Sequence, residues 1–353
     1  VDFPAGTERR LYTDSATAGY IGLLVLCAED DGRVAADGAT LLTGATGFVG
    51  SAVARALASR GHRLRAFVRP TSNRRNLQGV EMELALGYLN DAASLARAVA
   101  GCRYVFHVAA DYRFWVPDPE TMLRANVDGT LAVMRAAQGA GVERIVHCSS
   151  VAALGWRGDG TPADEATPTD EADFIGTYKR SKFLAERVVT DLVRQEGLPA
   201  VIVNPAAPVG PRDIKPTPTG KMVRDAADGR VPAYIDTGLN MVHVDDVAEG
   251  HVLALERGRV GERYVLGGEN LLLKDVLALI ADVAGRRAPR IELPEGLVWP
   301  AAWIMEGLAR VTGIPPLMTR DHLKMARRKM FYSSAKAMRE LAYAPRPVRN
   351  AIE

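Results

Sequence analysis

From Ala39 onward, short apolar runs alternate with stretches of helical periodicity. ATLLT (39–43) predicts a buried strand, TGATGFVG (43–50) a glycine-rich turn, and SAVARALASRG (51–61) a helix closed by Gly61. RLRAFV (63–68) alternates with period two and predicts a second strand. The pattern then repeats. CRYVFHVAA (102–110) reads as a strand, Pro119 to Gln138 as a helix, and ERIVHCSS (143–150) as a strand. YKRSKFLAERVVTDLVRQEG (178–197) reads as a helix and LPAVIVNP (198–205) as a strand, with a further strand and helix around MVHVDDVAEGHVLALERG (241–258). Such alternation predicts an α/β fold, a parallel sheet covered by helices on both faces.

Two loops interrupt it: the acidic, turn-rich GWRGDGTPADEATPTDEADF (155–174) and the proline-rich, basic PAAPVGPRDIKPTPTG (205–220). Beyond about Gly285 the pattern is less regular and includes an apolar helix candidate, LVWPAAWIMEGLARV (297–311). Before Ala39, AGYIGLLVLCA (18–28) follows Arg9 and Arg10, as in a secretory signal. Asp14 intervenes, however, and EDDGR replaces a small-residue cleavage site. Residues 1–38 therefore read as an extension, disordered or not native to the domain. A chain beginning near Ala39 is expected to keep its thermal midpoint, measured by thermal unfolding. A large drop would place the apolar stretch inside the fold.

Charge and composition narrow the function classes. The 353 residues carry 44 Lys and Arg against 42 Asp and Glu, a balance that lacks the strongly basic face of a nucleic-acid binder. Three scattered cysteines, Cys27, Cys102 and Cys148, argue against a disulfide framework and for a reducing, cytoplasmic setting. No apolar run reaches the roughly 18 residues that span a bilayer. The expected partner is a small molecule, with a homodimer left open.

TGATGFVG places Gly44, Gly47 and Gly50 directly between a strand and a helix. There the first glycine permits the tight turn and the second lets the backbone approach a pyrophosphate. The third lets the helix pack on the strand, and the helix N-terminus offers N–H donors to the anion. About 20 residues beyond such a loop, an acidic residue would bond the ribose 2′-hydroxyl of NAD. Here Arg69 stands 19 residues after Gly50, with Arg74 and Arg75 in the loop that follows. Guanidinium favours a 2′-phosphate where carboxylate would repel it, so the cluster predicts NADP, with NAD still open. The fold expected is a Rossmann-type doubly wound parallel sheet.

YKRSK places Tyr178 and Lys182 four apart, on one helix face. An ammonium near a phenol favours phenolate, which would let tyrosine exchange protons nearer neutral pH. Ser149 and Ser150 end the preceding strand, at the sheet edge where ligands sit in open α/β folds. A hydroxyl there can orient a substrate oxygen beside the tyrosine.

Together TGATGFVG, HVAA, CSS, YKRSK and the NP after the next strand resemble the extended short-chain dehydrogenase/reductases, the NAD-dependent epimerase/dehydratase family, over roughly residues 39–350. The dihydroflavonol-reductase-like branch is the nearest in appearance. HVAADYRFWVPDP, NVDGT, YKRSKFLAERVV, GPRDIKPTPTG and GGENL resemble the hopanoid-associated sugar epimerases in particular. The resemblance implies a pyrophosphate lined by Gly44, Thr46, Gly47, Phe48 and Val49. It takes Val108, Ala109 and Ala110 past the ribose towards the nicotinamide, and sets Pro205 at the nicotinamide end. It makes Tyr178 the acid/base, Lys182 its pKa partner and ribose anchor, and Ser150 the carbonyl-orienting hydroxyl. It also implies a Rossmann domain over 39–285, with a substrate-lobe insertion around 206–240, and a C-terminal substrate-binding lobe over 286–353.

Three departures from that pattern stand out. Tyr88 occupies a position where relatives carry an aspartate facing adenine, leaving the Leu89 backbone to serve. Ala206 and Ala207 replace hydroxyl residues, and the chain stops at NAIE where relatives continue a last helix, which reads as a fragment.

Other residues have plainer readings. His243, Asp245, Asp246 and His251 could be drawn as a metal site, but Asp245 capping the next helix is the simpler expectation, and no metal is expected. His107 and His147 lie inside strands, as core or site-lining histidines. Cys148 reads as a buried small hydrophobe. Tyr112, Phe114 and Trp115 could wall a substrate pocket or simply pack. Trp299 and Trp303 read as core of the substrate lobe, with peripheral membrane contact as the other reading. The expected activity is hydride transfer between NADP(H) and a secondary alcohol or ketone, in an epimerase or in a reductase resembling dihydroflavonol reductase or 3β-hydroxysteroid dehydrogenase. A non-catalytic NADP sensor on the same fold would need the glycine loop but not Tyr178 with Lys182.

Overall fold

Seven parallel strands carry the site. A computed structural model describes residues 38–113, 118–170, 174–312 and 320–353; expectations placed on residues 1–37, on Phe114 and on Trp115 lie outside these. The strands are β1 (Ala39–Thr43), β2 (Leu64–Val68), β3 (Glu83–Leu86), β4 (Cys102–His107), β5 (Arg144–Cys148) and β6 (Ala200–Pro205). Further along come β7 (Ala207–Val209), β8 (Ala233–Tyr234), β9 (Gly238–His243), β10 (Arg263–Leu266), β11 (Glu269–Leu272) and β12 (Ile291–Glu292). The main sheet runs β10-β6-β5-β4-β1-β2-β3. Strand order reverses between β1 and β4, the switch point where open α/β sheets bind ligands. β1 is buried along its whole length. Leu42 packs on one face and Leu41 on the other, which is why ATLLT reads as an unbroken apolar run.

The helices are α1 (Phe48–Ser59), α2 (Ala92–Val99), α3 (Pro119–Leu123), α4 (Gly129–Gly139), α5 (Gly176–Glu196) and α6 (Pro218–Ala227). The remainder are α7 (Val244–Arg257), α8 (Leu273–Val283), α9 (Glu295–Thr312), α10 (Arg320–Ala326), α11 (Ala335–Leu341) and α12 (Arg349–Ile352). α1 and α7 cover one face through Val53, Leu57, Val247 and Val252. α2, α4 and α5 cover the other through Leu95, Met134 and Val189. The sheet is therefore doubly wound, as the alternation predicts.

Several expectations change in detail. The single helix expected from Pro119 to Gln138 is two helices joined by a π-turn over Arg124–Asp128, set where Asn126 turns its amide inward. β3 was not legible because ELAL mixes charge with apolar residues; it is a sheet edge with Leu84 and Leu86 exposed. The lobe expected over 286–353 is not one stretch. Ala337, Leu341 and Tyr343 return to the main core beside α7, while Val348 and Ala351 join a second cluster with Val209, Met241, Val276 and Ile280. That second cluster gathers residues on both sides of the expected 285 boundary, because α12 packs back against α8 and β9. Trp299 packs with Ala302 and Leu323 as expected. Trp303 does not: it is 60% exposed, since it sits on the helix face opposite Ala302 and Ala309.

Candidate active site

The glycine loop follows β1 at the switch point. Gly44 has φ +74°, and a Cβ there would lie 2.6 Å from the Ala109 nitrogen. The chain after β4 thus crosses directly over the loop, and the Ala109 N–H donates to Thr43 Oγ1 at 3.2 Å. Gly50 lets α1 close on the turn, since its Cβ would stand 2.0 Å from the Gly44 carbonyl oxygen. α1 begins at Phe48 behind Gly47, which supplies no side-chain cap. With no side-chain cap, its first N–H groups are left to meet an anion. This is a cradle that fits a dinucleotide.

β2 ends at Val68, so Arg69 opens the next loop beside the first. Asn76 ties the two loops together by donating to the Thr46 carbonyl at 3.3 Å, and Arg55 holds the Asn76 and Gln78 carbonyls at 2.8 and 2.9 Å. Arg69, Arg74 and Arg75 are exposed, and among the described residues none is paired with a carboxylate. Leu89 packs against Gly129, and Tyr88 is exposed. Val108, Ala109 and Ala110 are half-buried, and Pro205 is buried where β6 ends beside Leu266.

Tyr178 lies in the first turn of α5 and hydrogen-bonds Ser150, whose own hydroxyl accepts from the Ala152 N–H at 3.1 Å. Ser150 and Tyr178 thus meet directly, with Lys182 one turn further along α5, but the electrostatics differ from the expectation. Burial pushes the Tyr178 phenol up to about 12, with the Ser150 hydrogen bond pulling the other way. The Lys182 ammonium donates to the Cys148 carbonyl at 2.9 Å. Lys182 is itself only 4% exposed, and burial lowers its pKa. Behind it, Glu186 accepts from Asn204 at 2.7 Å and from Arg263 at 3.1 Å, and Asn204 also donates to the Ser150 carbonyl at 3.0 Å. This buried pair fixes the strand end that presents Ser150.

A second network was not read from the sequence. Asn126 donates to the Asp111 carbonyl at 2.8 Å and to Ser181 Oγ at 2.9 Å, and Ser181 donates to the Tyr178 carbonyl at 2.8 Å. Thr130 Oγ1 donates to the Asn126 carbonyl at 2.6 Å, so it accepts from His107 Nε2 at 3.0 Å. The other ring nitrogen, Nδ1, then accepts from Thr43 Oγ1 at 2.8 Å. Burial, followed by the charge of Lys182, holds His107 down to about 3, so the ring is neutral and its tautomer is set by Thr130. One chain of hydrogen bonds therefore links β1 to the α5 turn that bears Tyr178. The available signal was an asparagine inside a helical stretch, a residue that prefers to bond backbone elsewhere.

The remaining candidates separate. Asp245 does not cap α7: His243 Nδ1 accepts from the Asp245 N–H at 3.0 Å, and the Asp245 carboxylate pairs with Arg212. Asp246 pairs with Arg346 at 2.7 Å and His251 is buried against the Val247 carbonyl, so these groups do not converge. Among the described residues no cluster suits a metal ion. His147 is buried and stacked on His107, with ring centroids 5.4 Å apart. Cys148 is buried, its thiol pushed up to about 11. Tyr112 is partly exposed next to Asp111.

Glycine cradle, switch-point position and a tyrosine–serine pair beside a buried lysine together define an NAD(P)-dependent oxidoreductase or epimerase of Rossmann type. The chain belongs to the NAD dependent epimerase/dehydratase family, whose model matches residues 40–267. It is 42% identical, over 88% of its length and 91% of the relative's, to a Synechocystis protein named "Putative dihydroflavonol 4-reductase". It is 34% identical to sterol demethylase protein B of Methylococcus capsulatus, covering 89% of this chain and 95% of that one. The crystal structure of gox2253 superposes with a TM-score of 0.81 at 59% identity, covering 90% and 96% of the two chains.

Proposed function

We propose that the protein reduces a ketone, or oxidises the matching secondary alcohol, with NADP(H) as hydride partner. The observation that carries this reading is the Arg69, Arg74 and Arg75 cluster beside the glycine loop, free of carboxylate partners among the described residues. A 2′-phosphate would complete it. The nicotinamide dinucleotide, when bound, supplies or accepts the hydride. Gly44, Thr46, Gly47, Phe48 and Val49 hold the pyrophosphate at the start of α1. The Leu89 backbone serves the adenine side, Val108, Ala109 and Ala110 border the ribose, Lys182 anchors it, and Pro205 closes the nicotinamide end. Ser150 orients the substrate oxygen and Tyr178 gives it a proton. A phenol pushed up to about 12 stays protonated through neutral pH, which suits the reducing direction.

Relatives named for dihydroflavonol and sterol chemistry make an apolar polycyclic ketone the first class to try. The family's epimerase name supports a second reading, epimerisation of a hopanoid-associated sugar or sugar nucleotide. Net turnover separates the two. With a panel of ketones, NADPH absorbance should fall in step with alcohol formed; an inverted sugar carbon with no net loss of NADPH would favour the epimerase. Arg69→Asp should raise the NADPH Kd about 10- to 150-fold, from a lost charge-assisted bond of about 1.5–3 kcal/mol, and leave NADH within a few fold. Equal wild-type affinity for NADH and NADPH would sink the proposed grip.

A further inference from the structure

The solvent face of α9 has no charged residue among its described side chains. At about 100° per residue, Gly296, Pro300, Trp303, Ile304, Gly307 and Leu308 fall within an arc of roughly 140°. All six are exposed, with Trp303, Ile304 and Leu308 at 60%, 64% and 57%. The opposite arc carries Ala302 and Ala309, both buried. α9 is thus anchored by small residues and presents its large apolar ones outward, the reverse of an ordinary surface helix.

The surroundings of this face are basic. Arg320 stacks on Trp303 at 4.2 Å and Arg327 on Trp299 at 5.4 Å. Residues 286–329 hold nine Lys and Arg against four Asp and Glu, an excess of five positive charges in a chain that nets only +2. The remainder of the chain is therefore net negative, and the positive excess lies in the segment that carries α9 and α10, where Arg320 also pairs with Glu306 at 2.7 Å, Lys324 with Asp321 and Lys329 with Asp236. No described helix is long and apolar enough to cross a membrane.

We propose that this face docks on an anionic lipid bilayer, with α9 lying in the interface plane. Ile304 and Leu308 enter the acyl boundary, Trp303 sits at headgroup level, and Arg320 and Arg327, which lie on the tryptophans of α9, meet lipid phosphates. Charge selects the partner. A second copy would bring the same positive excess against itself, whereas an anionic surface complements it. The proposal is independent of the redox reading, and its test uses no turnover.

The full chain is sedimented with vesicles of phosphatidylcholine alone or containing phosphatidylserine. Partition to the anionic vesicles should be about tenfold or more stronger and should weaken as salt is raised. Ile304→Glu with Leu308→Glu should lower it about tenfold or more, with thermal midpoint and NADPH titration unchanged, because both positions are exposed. Sedimentation velocity without lipid completes the test. Equal partition to both vesicles, no sedimentation with either, or undiminished binding by the double variant would overturn the proposal. So would a dimer that the double variant dissolves without any vesicle binding, since the face would then belong to an interface between copies.

Discussion

Tyr178→Phe is expected to lower turnover by about 10²–10⁴ while the NADPH Kd stays within a few fold. The phenol hydroxyl is the proton-bearing group that meets Ser150, and burial keeps it protonated at neutral pH. Phenylalanine keeps the ring and the α5 turn, so the cradle formed by Gly44, Gly47 and Gly50 is untouched. Lys182→Met should behave differently and damage both rate and affinity. Its ammonium lies buried against the Cys148 carbonyl, at the place proposed for the ribose anchor. Steady-state rates with a ketone found in the panel, combined with fluorescence titration of NADPH, read both quantities. If Tyr178→Phe turns substrate over at the wild-type rate, the proton donor is another group and the mechanism fails.

Gly50→Ala should cost about 10²-fold in NADPH affinity and about 1–3 kcal/mol in stability. The added Cβ would meet the Gly44 carbonyl oxygen at 2.0 Å and its carbon at 2.6 Å, both backbone atoms that cannot swing aside. α1 must then move off the turn, taking its free N–H groups away from the pyrophosphate. Gly139→Ala is the control. It lies in α4 with nothing within 4 Å of the new methyl group, so affinity should hold and stability should be equal or slightly higher. Thermal unfolding and NADPH titration of the two variants give the comparison. Equal behaviour would show that the third glycine does not govern how α1 packs on the loop.

The doubly wound sheet was legible because its signals are local. A strand buried on both faces must be apolar throughout, and a turn that passes under another chain segment must be glycine. ATLLT and TGATGFVG state these requirements within 12 residues. YKRSK was legible for a similar reason, since four residues of helix bring Tyr178 and Lys182 to one side whatever the rest of the chain does. The pairing of Ser150 with Tyr178 followed from strand-end position.

What the sequence could not decide was how each group is partnered and how deeply it lies. Lys182 was expected to lower the tyrosine's pKa, but burial raises it, and the Lys182 ammonium instead meets the Cys148 carbonyl on a strand 34 residues away. Asp245 has the composition of a helix cap, yet Arg212 draws its carboxylate away and His243 caps instead. Asn126 joins its π-turn to the loop after β4 and to α5 through bonds reaching 15 and 55 residues along the chain. Trp303 has the composition of core, and only the side of α9 that meets Ala302's neighbours turns it outward. The sheet, the glycine cradle and the grouping of Tyr178 with Lys182 were readable because each is specified by residues close together in the chain. Tertiary structure decided the protonation, the positioning network and the exposed face. Those depend on dielectric surroundings and on hydrogen-bond partners that only folding brings within reach.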